Sequence, residues 1–308
     1  MKIFFLLLII SLQVHCDDES IAKKAYQANI NALMIFTSQD GLNTGHYRFT
    51  KIGVEMDIYH LPFLYHLKSS YENINFFVMG NIGYSRTKLD DNFLRPVPHE
   101  TPVTLNYQNQ LRTYTGGLGI GIRYHNDYGF NILTGIEMIY SRTGIKVLSA
   151  DDDLGDAIKD FFDGNYNNNL TYKFLLSFEY RKEYRGFHPY AVLNYKLYET
   201  KTDFSLDELM TFSTQASVST FGFGTETPHL YDYKDMYLTL EGYLYGHYLS
   251  GDITNISGFD TYYTFGVVAY WNTPQRINWA ERFFLEASTV NSTGLEGYNV
   301  GIGFTVDF

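Results

Sequence analysis

Nine histidines and a single cysteine are the side chains best suited to acid–base, nucleophilic or metal chemistry in this 308-residue chain. Beyond residue 16 the histidines stand at His46, His60, His66, His99, His125, His188, His229 and His247. Hydrolysis needs an imidazole held against a hydroxyl nucleophile or a carboxylate. None of these histidines sits in an HxS, DH or HxxxH frame, so each reads as a surface or turn residue and no catalytic or metal site is expected. Gly117-x-Gly119-x-Gly121 and Gly301-x-Gly303 have the spacing of glycine-rich phosphate loops, yet no strand-to-helix switch follows them. A spacing of two instead puts these glycines on one face of a strand, where they leave room or allow curvature. Asp151-Asp152-Asp153 could meet a cation, but the spacing is not that of a calcium loop and fits a solvated helix start. No cofactor is expected.

A second set of charges is spaced by strand geometry. Lys51, Glu55, Asp57, Arg123, Glu137, Lys173, Glu179, Arg181, Lys196, Glu241, Arg282 and Glu286 each alternate with aliphatic or aromatic neighbours. Period two marks a strand with one apolar and one polar face. The alternation predicts strands over 47–59, 74–85, 112–124, 128–142, 170–181, 189–200, 236–248, 262–272, 279–289 and 296–308. In the first of these, Ile52, Val54, Met56 and Ile58 are expected on the apolar face and Lys51, Glu55 and Asp57 on the polar one. Residues 214–225 read as a Gly/Ser/Thr-rich strand. Residues 25–37 alternate as a strand but also fit a helix through Ile21, Ala25, Ala28, Ala32 and Ile35. The strand is preferred, because it makes twelve and keeps the count even. Two short helices are expected in long loops, at 151–163 and Ser205–Phe212. Residues 86–111 form another long loop, stiffened by Pro96, Pro98 and Pro102. The connection at 60–72 is a misfit, longer than its place in the pattern requires.

The start of the chain is a targeting segment. Lys2 precedes the apolar run Ile3–Leu12, which is too short to cross a bilayer as a helix. Val14-His15-Cys16 fits a signal-peptidase site, giving a signal peptide at 1–16 and a single domain at 17–308. A lipidated Cys16 is the rival reading, which His15 and Gln13 fit poorly. No later segment approaches 18 consecutive apolar residues. Aromatics nevertheless make up 18% of the chain, with 28 Tyr and 24 Phe, and mean hydropathy is slightly negative. A membrane β-barrel has this composition, since half of each strand meets lipid while the rest is polar. Tyr suits the lipid–water boundary. The net charge of −11 argues against a nucleic-acid partner.

The closing segment carries the clearest resemblance. Tyr298, Val300, Ile302, Phe304, Val306 and Phe308 alternate with Asn, Gly, Thr and Asp. This is similar to the C-terminal assembly signal of bacterial outer-membrane β-barrel proteins. Twelve strands in about 290 residues, closed by that strand, resemble the translocator barrels of autotransporters, in a solitary form without a large passenger. The resemblance implies an all-β fold: a transmembrane, antiparallel, up-and-down barrel with short helices in the outer loops. It implies the outer membrane of a Gram-negative bacterium, contact with outer-membrane lipid and lipopolysaccharide, and help from the barrel-assembly machinery. It carries no catalytic motif, so a structural or transport role without enzymatic activity is expected. A small-solute, porin-like channel is the alternative, and a barrel hydrolase a further one, since barrel phospholipases use Ser/His pairs and omptin-type proteases use Asp/His pairs. The polar-face charges above are expected to point into the lumen, and their mixed signs fit cross-strand pairing better than a selective pore.

Overall fold

The computed structural model describes residues 30–32, 34–35, 42–51, 53–67, 71–95, 103–150, 166–204, 212–273 and 281–305. The signal peptide, Val306, Phe308 and the helix expected at 151–163 lie outside them, as does nearly all of the one expected at Ser205–Phe212. Within them thirteen strands run in chain order: β1 Leu42–Phe49, β2 Val54–Leu67, β3 Ile74–Arg95, β4 Val103–His125, β5 Phe130–Ala150, β6 Tyr166–Arg181, β7 His188–Phe204, β8 Phe212–Glu226, β9 Tyr231–Tyr233, β10 Met236–Gly251, β11 Thr261–Asn272, β12 Arg282–Asn291 and β13 Leu295–Thr305. Each pairs antiparallel with its neighbours, β9 only adding a short hairpin to β10. β13 returns to pair with β1, from Leu42↔Ile302 to Phe49↔Leu295, so twelve strands close into a barrel with no free edge.

Tight turns set the register. At 126–129 the Asn126 side-chain oxygen accepts N–H bonds from Tyr128 and Phe130, both at 3.1 Å. Gly129 there has φ 92°, and a Cβ would strike the Arg181 carbonyl, so this turn needs glycine. The turns at 126–129 and 182–187 and the connection at 227–235 share one end of the barrel with Leu42, Leu67, Ile74, Asn272, Arg282 and Thr305. We call this the terminal end. The opposite, loop end carries Phe49 and Val54, Arg95 and Val103, Ala150 and Tyr166, Phe204 and Phe212, the connection at 292–294 and a short helix, Asp252–Ser257.

Three expectations need correcting. The twelfth strand is not 25–37: residues 30–32 and 34–35 are helical, and the expected strand 47–59 is two strands meeting at a turn, where Gly53 has φ 64°. The misfit at 60–72 vanishes, because β2 runs on to Leu67. The loop at 86–111 is mostly sheet, with β3 and β4 paired as far as Arg95↔Val103. In the β3 part of that extension Asp90, Asp91 and Asn92 interrupt the apolar alternation that marks the strand below.

Outward-facing apolar residues form a band. Phe76, Ile82, Leu118, Ile120, Ile136, Phe174, Phe223, Leu240, Phe265, Leu285 and Ile302 are all exposed. Tyrosines bound the band toward the loop end, and Tyr84 packs on Tyr59 at 6.0 Å and on Tyr114 at 5.0 Å. Tyr124, Phe130 and Tyr180 bound it toward the terminal end, with Phe130 and Tyr180 4.8 Å apart. From Tyr114 to Tyr124 the strand covers about 34 Å at about 3.4 Å per residue, and a tilt of about 45° brings this near the ~25 Å apolar height of outer-membrane barrels. No described helix is long and apolar enough to cross a membrane, which says nothing of a barrel.

Candidate functional site: a filled lumen

Toward the loop end the lumen is apolar. Ile30, Ala32, Met34 and Ile35 of the inner helical segment are at most 3% exposed. Ala32, Met34 and Ile35 join one core with Tyr47, Phe49, Val54, Met56 and Ile58 of β1 and β2, with Val218 and Leu249 of the facing wall, and with Ile253 and Phe259 from the connection after β10. The second strand is therefore phased opposite to expectation. Val54, Met56 and Ile58 point inward to cover the helix, while Glu55 and Asp57 point outward. Period two identifies two faces but not which of them is wet, and here the apolar partner is the helix rather than lipid. Asn31 anchors the segment by donating to the Thr214 hydroxyl at 2.9 Å. Thr214 donates in turn to Asp252 at 3.0 Å, and Asp252 also accepts the Gln215 N–H at 2.8 Å.

Lower in the lumen the wall is polar and paired. Hydroxyls bond across strands at Thr113–Thr143 (2.8 Å) and Thr171–Thr200 (2.7 Å). Buried Glu137 meets Lys173 at 2.9 Å and also accepts from the Asn81 side-chain nitrogen. His247 bonds Thr220 at 2.8 Å and Thr264 at 3.0 Å, and stacks on Tyr262 at 4.2 Å.

A third cluster closes toward the terminal end. Arg181 reaches Glu179 at 3.1 Å, Glu226 at 3.5 Å and Glu241 at 3.9 Å, and Arg282 reaches Glu226 at 3.4 Å. Tyr190 donates to Glu241 at 2.6 Å, and Thr239 donates to Glu226 at 2.6 Å. The two guanidinium groups lie over tyrosine rings, Arg181 over Tyr190 at 4.5 Å and Arg282 over Tyr270 at 4.0 Å. Glycines opposite make this possible: a Cβ at Gly224 would strike the Tyr190 ring, and one at Gly266 the Tyr243 ring.

Nine of the twelve charges expected in the lumen thus stand on inward strand positions. Arg123 donates to Asn131 at 2.9 Å. Glu286 accepts from the Tyr243 hydroxyl. Lys196 faces inward on β7 opposite Val218. Three do not belong there, outward Asp57 being the first. Lys51 is in the turn after β1, where its ammonium donates to the Gly258 carbonyl. Glu55 is outward, 3.9 Å from Arg48. Sequence reasoning missed Glu226 and the inward tyrosines Tyr190, Tyr243 and Tyr270. The signal was present, since Tyr243 shares its strand phase with Glu241 and His247. In the closing strand Tyr298, Val300, Ile302 and Phe304 are outward and exposed, as expected, with Asn299 buried behind them.

On the outer wall, above the aromatic boundary, Asp57 accepts from His46 Nδ1 at 2.8 Å and from Arg86 at 2.7 and 3.1 Å. This is the orienting half of a hydrolytic triad. Among the described residues no hydroxyl meets the other His46 nitrogen. Nor, among them, does any group of three His, Cys, Asp or Glu side chains have the arrangement of a metal site.

No family model matches the chain, and no curated protein matches it. Solved structures do. The β-domain of the Bordetella autotransporter BrkA aligns with a TM-score of 0.55 at 8% identity, over 85% of this chain and 96% of that one. The translocator domain of NalP from Neisseria meningitidis gives 0.55 at 11% identity, over 94% and 98%. The transport unit of AIDA-I from Escherichia coli gives 0.53 at 10% identity, over 92% and 97%. The shared property is the fold: a closed antiparallel barrel of the autotransporter-translocator type.

Proposed function

We propose that this autotransporter-like barrel is an integral outer-membrane protein of a Gram-negative bacterium whose lumen is held shut by its own residues. Its role on this reading is structural or transport-related, without catalysis. The observation that carries the proposal is the inner helical segment, buried among inward apolar side chains with ion-paired layers beneath it. An open channel needs a continuous wet path, and one sign of charge at its constriction if it is to select ions. Here acids and bases neutralise one another across strands. Lipid and lipopolysaccharide would surround the band. The barrel-assembly machinery would read the alternation of Tyr298, Val300, Ile302 and Phe304, with Val306 and Phe308 completing the signal.

The hydrolase reading has one supporting feature, the His46–Asp57 pair, and among the described residues no nucleophile stands beside it. Planar-bilayer recording on refolded protein separates closed barrel from porin. The expected trace has small or absent unitary steps without strong ion selectivity. A large, stable, cation-selective conductance would replace the closed-barrel reading with the porin one.

A further inference from the structure

Just beyond the tyrosine boundary, toward the loop end, the outer wall turns basic. Arg86 on β3 pairs in register with Arg112 on β4, and Arg112 with Gly144 on β5. Two residues from Gly144, Arg142 pairs with Asn168 on β6, and Lys201 of β7 lies opposite Leu170. All four cations point outward, and Arg142 and Lys201 are exposed. The Arg142 guanidinium carbon lies 3.2 Å from the centroid of the Tyr166 ring, and the Arg112 Nε donates to Gln110 at 2.7 Å. Arg86 is bound to Asp57. Among the described residues no carboxylate forms an ion pair with Arg112, Arg142 or Lys201, although outward Glu199 shares this face.

The wall below is indented and mostly apolar. A groove of about 680 Å³ runs between Leu118, Ile120, Ile136, Met138, Tyr172 and Leu197, with Glu199, Glu137 and Lys173 also lining it. A cationic arc at headgroup depth above a mostly apolar groove in the band fits a molecule with phosphate above and acyl chain below. The arc spans four interstrand spacings, about 19 Å at about 4.8 Å each. That is too wide for one phosphate and suits a headgroup carrying two on a rigid spacer.

We infer that this arc and groove form a binding site for a doubly phosphorylated glycolipid of the outward-facing leaflet, the lipid A class. The inference rests on the proposed outer-membrane placement and adds a defined site to it. The forked guanidinium groups take the phosphates, and the groove takes one acyl chain.

The test compares refolded parent protein with an Arg112→Ala/Arg142→Ala/Lys201→Ala variant in zwitterionic detergent. Folding is checked by heat-modifiable migration and retained lipid is read by native mass spectrometry. The probes are diphosphoryl lipid A, monophosphoryl lipid A, phosphatidylglycerol and inorganic phosphate. The parent should hold diphosphoryl lipid A at least about tenfold more tightly than the other probes, and the variant should lose that preference. If the triple variant does not fold, Arg142→Gln alone should weaken diphosphoryl lipid A binding and leave phosphatidylglycerol unchanged. A folded parent that binds phosphatidylglycerol or free phosphate equally well, or a folded variant that binds like the parent, overturns the site while the barrel placement stands. A parent that fails to co-sediment with outer membranes overturns the placement and the site together.

Discussion

Glu137 is 4% exposed and depends on two partners, the Lys173 ammonium and the Asn81 side-chain nitrogen. Removing one member of a buried pair strands the other charge, which generally costs about 3–5 kcal/mol, whereas replacing both by apolar groups is often near neutral. Lys173→Met should therefore destabilise the folded barrel by about 3 kcal/mol, at the lower end because nearby lumen water screens part of the loss. Lys173→Met with Glu137→Leu should recover most of it. Guanidinium titration in micelles, followed by tryptophan fluorescence, measures both. Equal losses in the two variants would mean that Glu137 is solvated without its partner. The cluster around Arg181 differs in kind, because three carboxylates share two guanidinium groups and several hydroxyls. Loss of one member there leaves the others to rearrange.

The inner helical segment and the first hairpin form one unit, each supplying the apolar face the other needs. Two carboxylates placed on that face should undo the match. Ile30→Asp with Met34→Asp would have to bury unpaired charge, which costs more than the segment can gain by docking. The segment should leave the lumen while the backbone ladder from β1 to β13 stays intact. Single-channel recording should show larger or more frequent openings, with undiminished heat-modifiable protein in the membrane fraction; unchanged closure would place the barrier in the polar layers instead. This unit is also where sequence and structure part. Residues 74–85, 112–124, 170–181 and 262–272 were legible because their apolar face meets a uniform apolar solvent. In β1 the inward residues are Tyr47 and Phe49 and the outward ones His46 and Arg48, so the same period arises with the faces exchanged. Strand phase likewise exposed Glu137, Lys173, Arg181 and Glu241 as inward, but not their partners. Partners depend on register, and register depends on turns such as 50–53 that carry no periodic signal. Nor could periodicity bring His46 to Asp57, which meet only because that turn folds β1 back on β2.

The molecule as a whole defines a slab, with tyrosines at one boundary and mixed aromatics at the other. Arg at mid-slab Ile120 or Phe265 should cost about 2–4 kcal/mol, and Arg at Asn168, outward but beyond the tyrosines, about 1 kcal/mol or less. Unfolding midpoints in lipid vesicles give the comparison, and a uniform cost at all three sites would mean that the slab is misplaced. Closure of the barrel also has a consequence in time. Every other pairing of adjacent wall strands joins strands that follow one another closely in the chain, but the seam brings Tyr47 to Asn299, 252 residues later. Hairpins can zip as they emerge from synthesis, whereas the seam waits for β13. Until then the nascent wall presents two rows of open N–H and C=O groups, each able to capture a strand from another copy and neither tolerable in hydrocarbon. The interval before the seam shuts, rather than the stability of the finished wall, is when this chain is most exposed to misassembly.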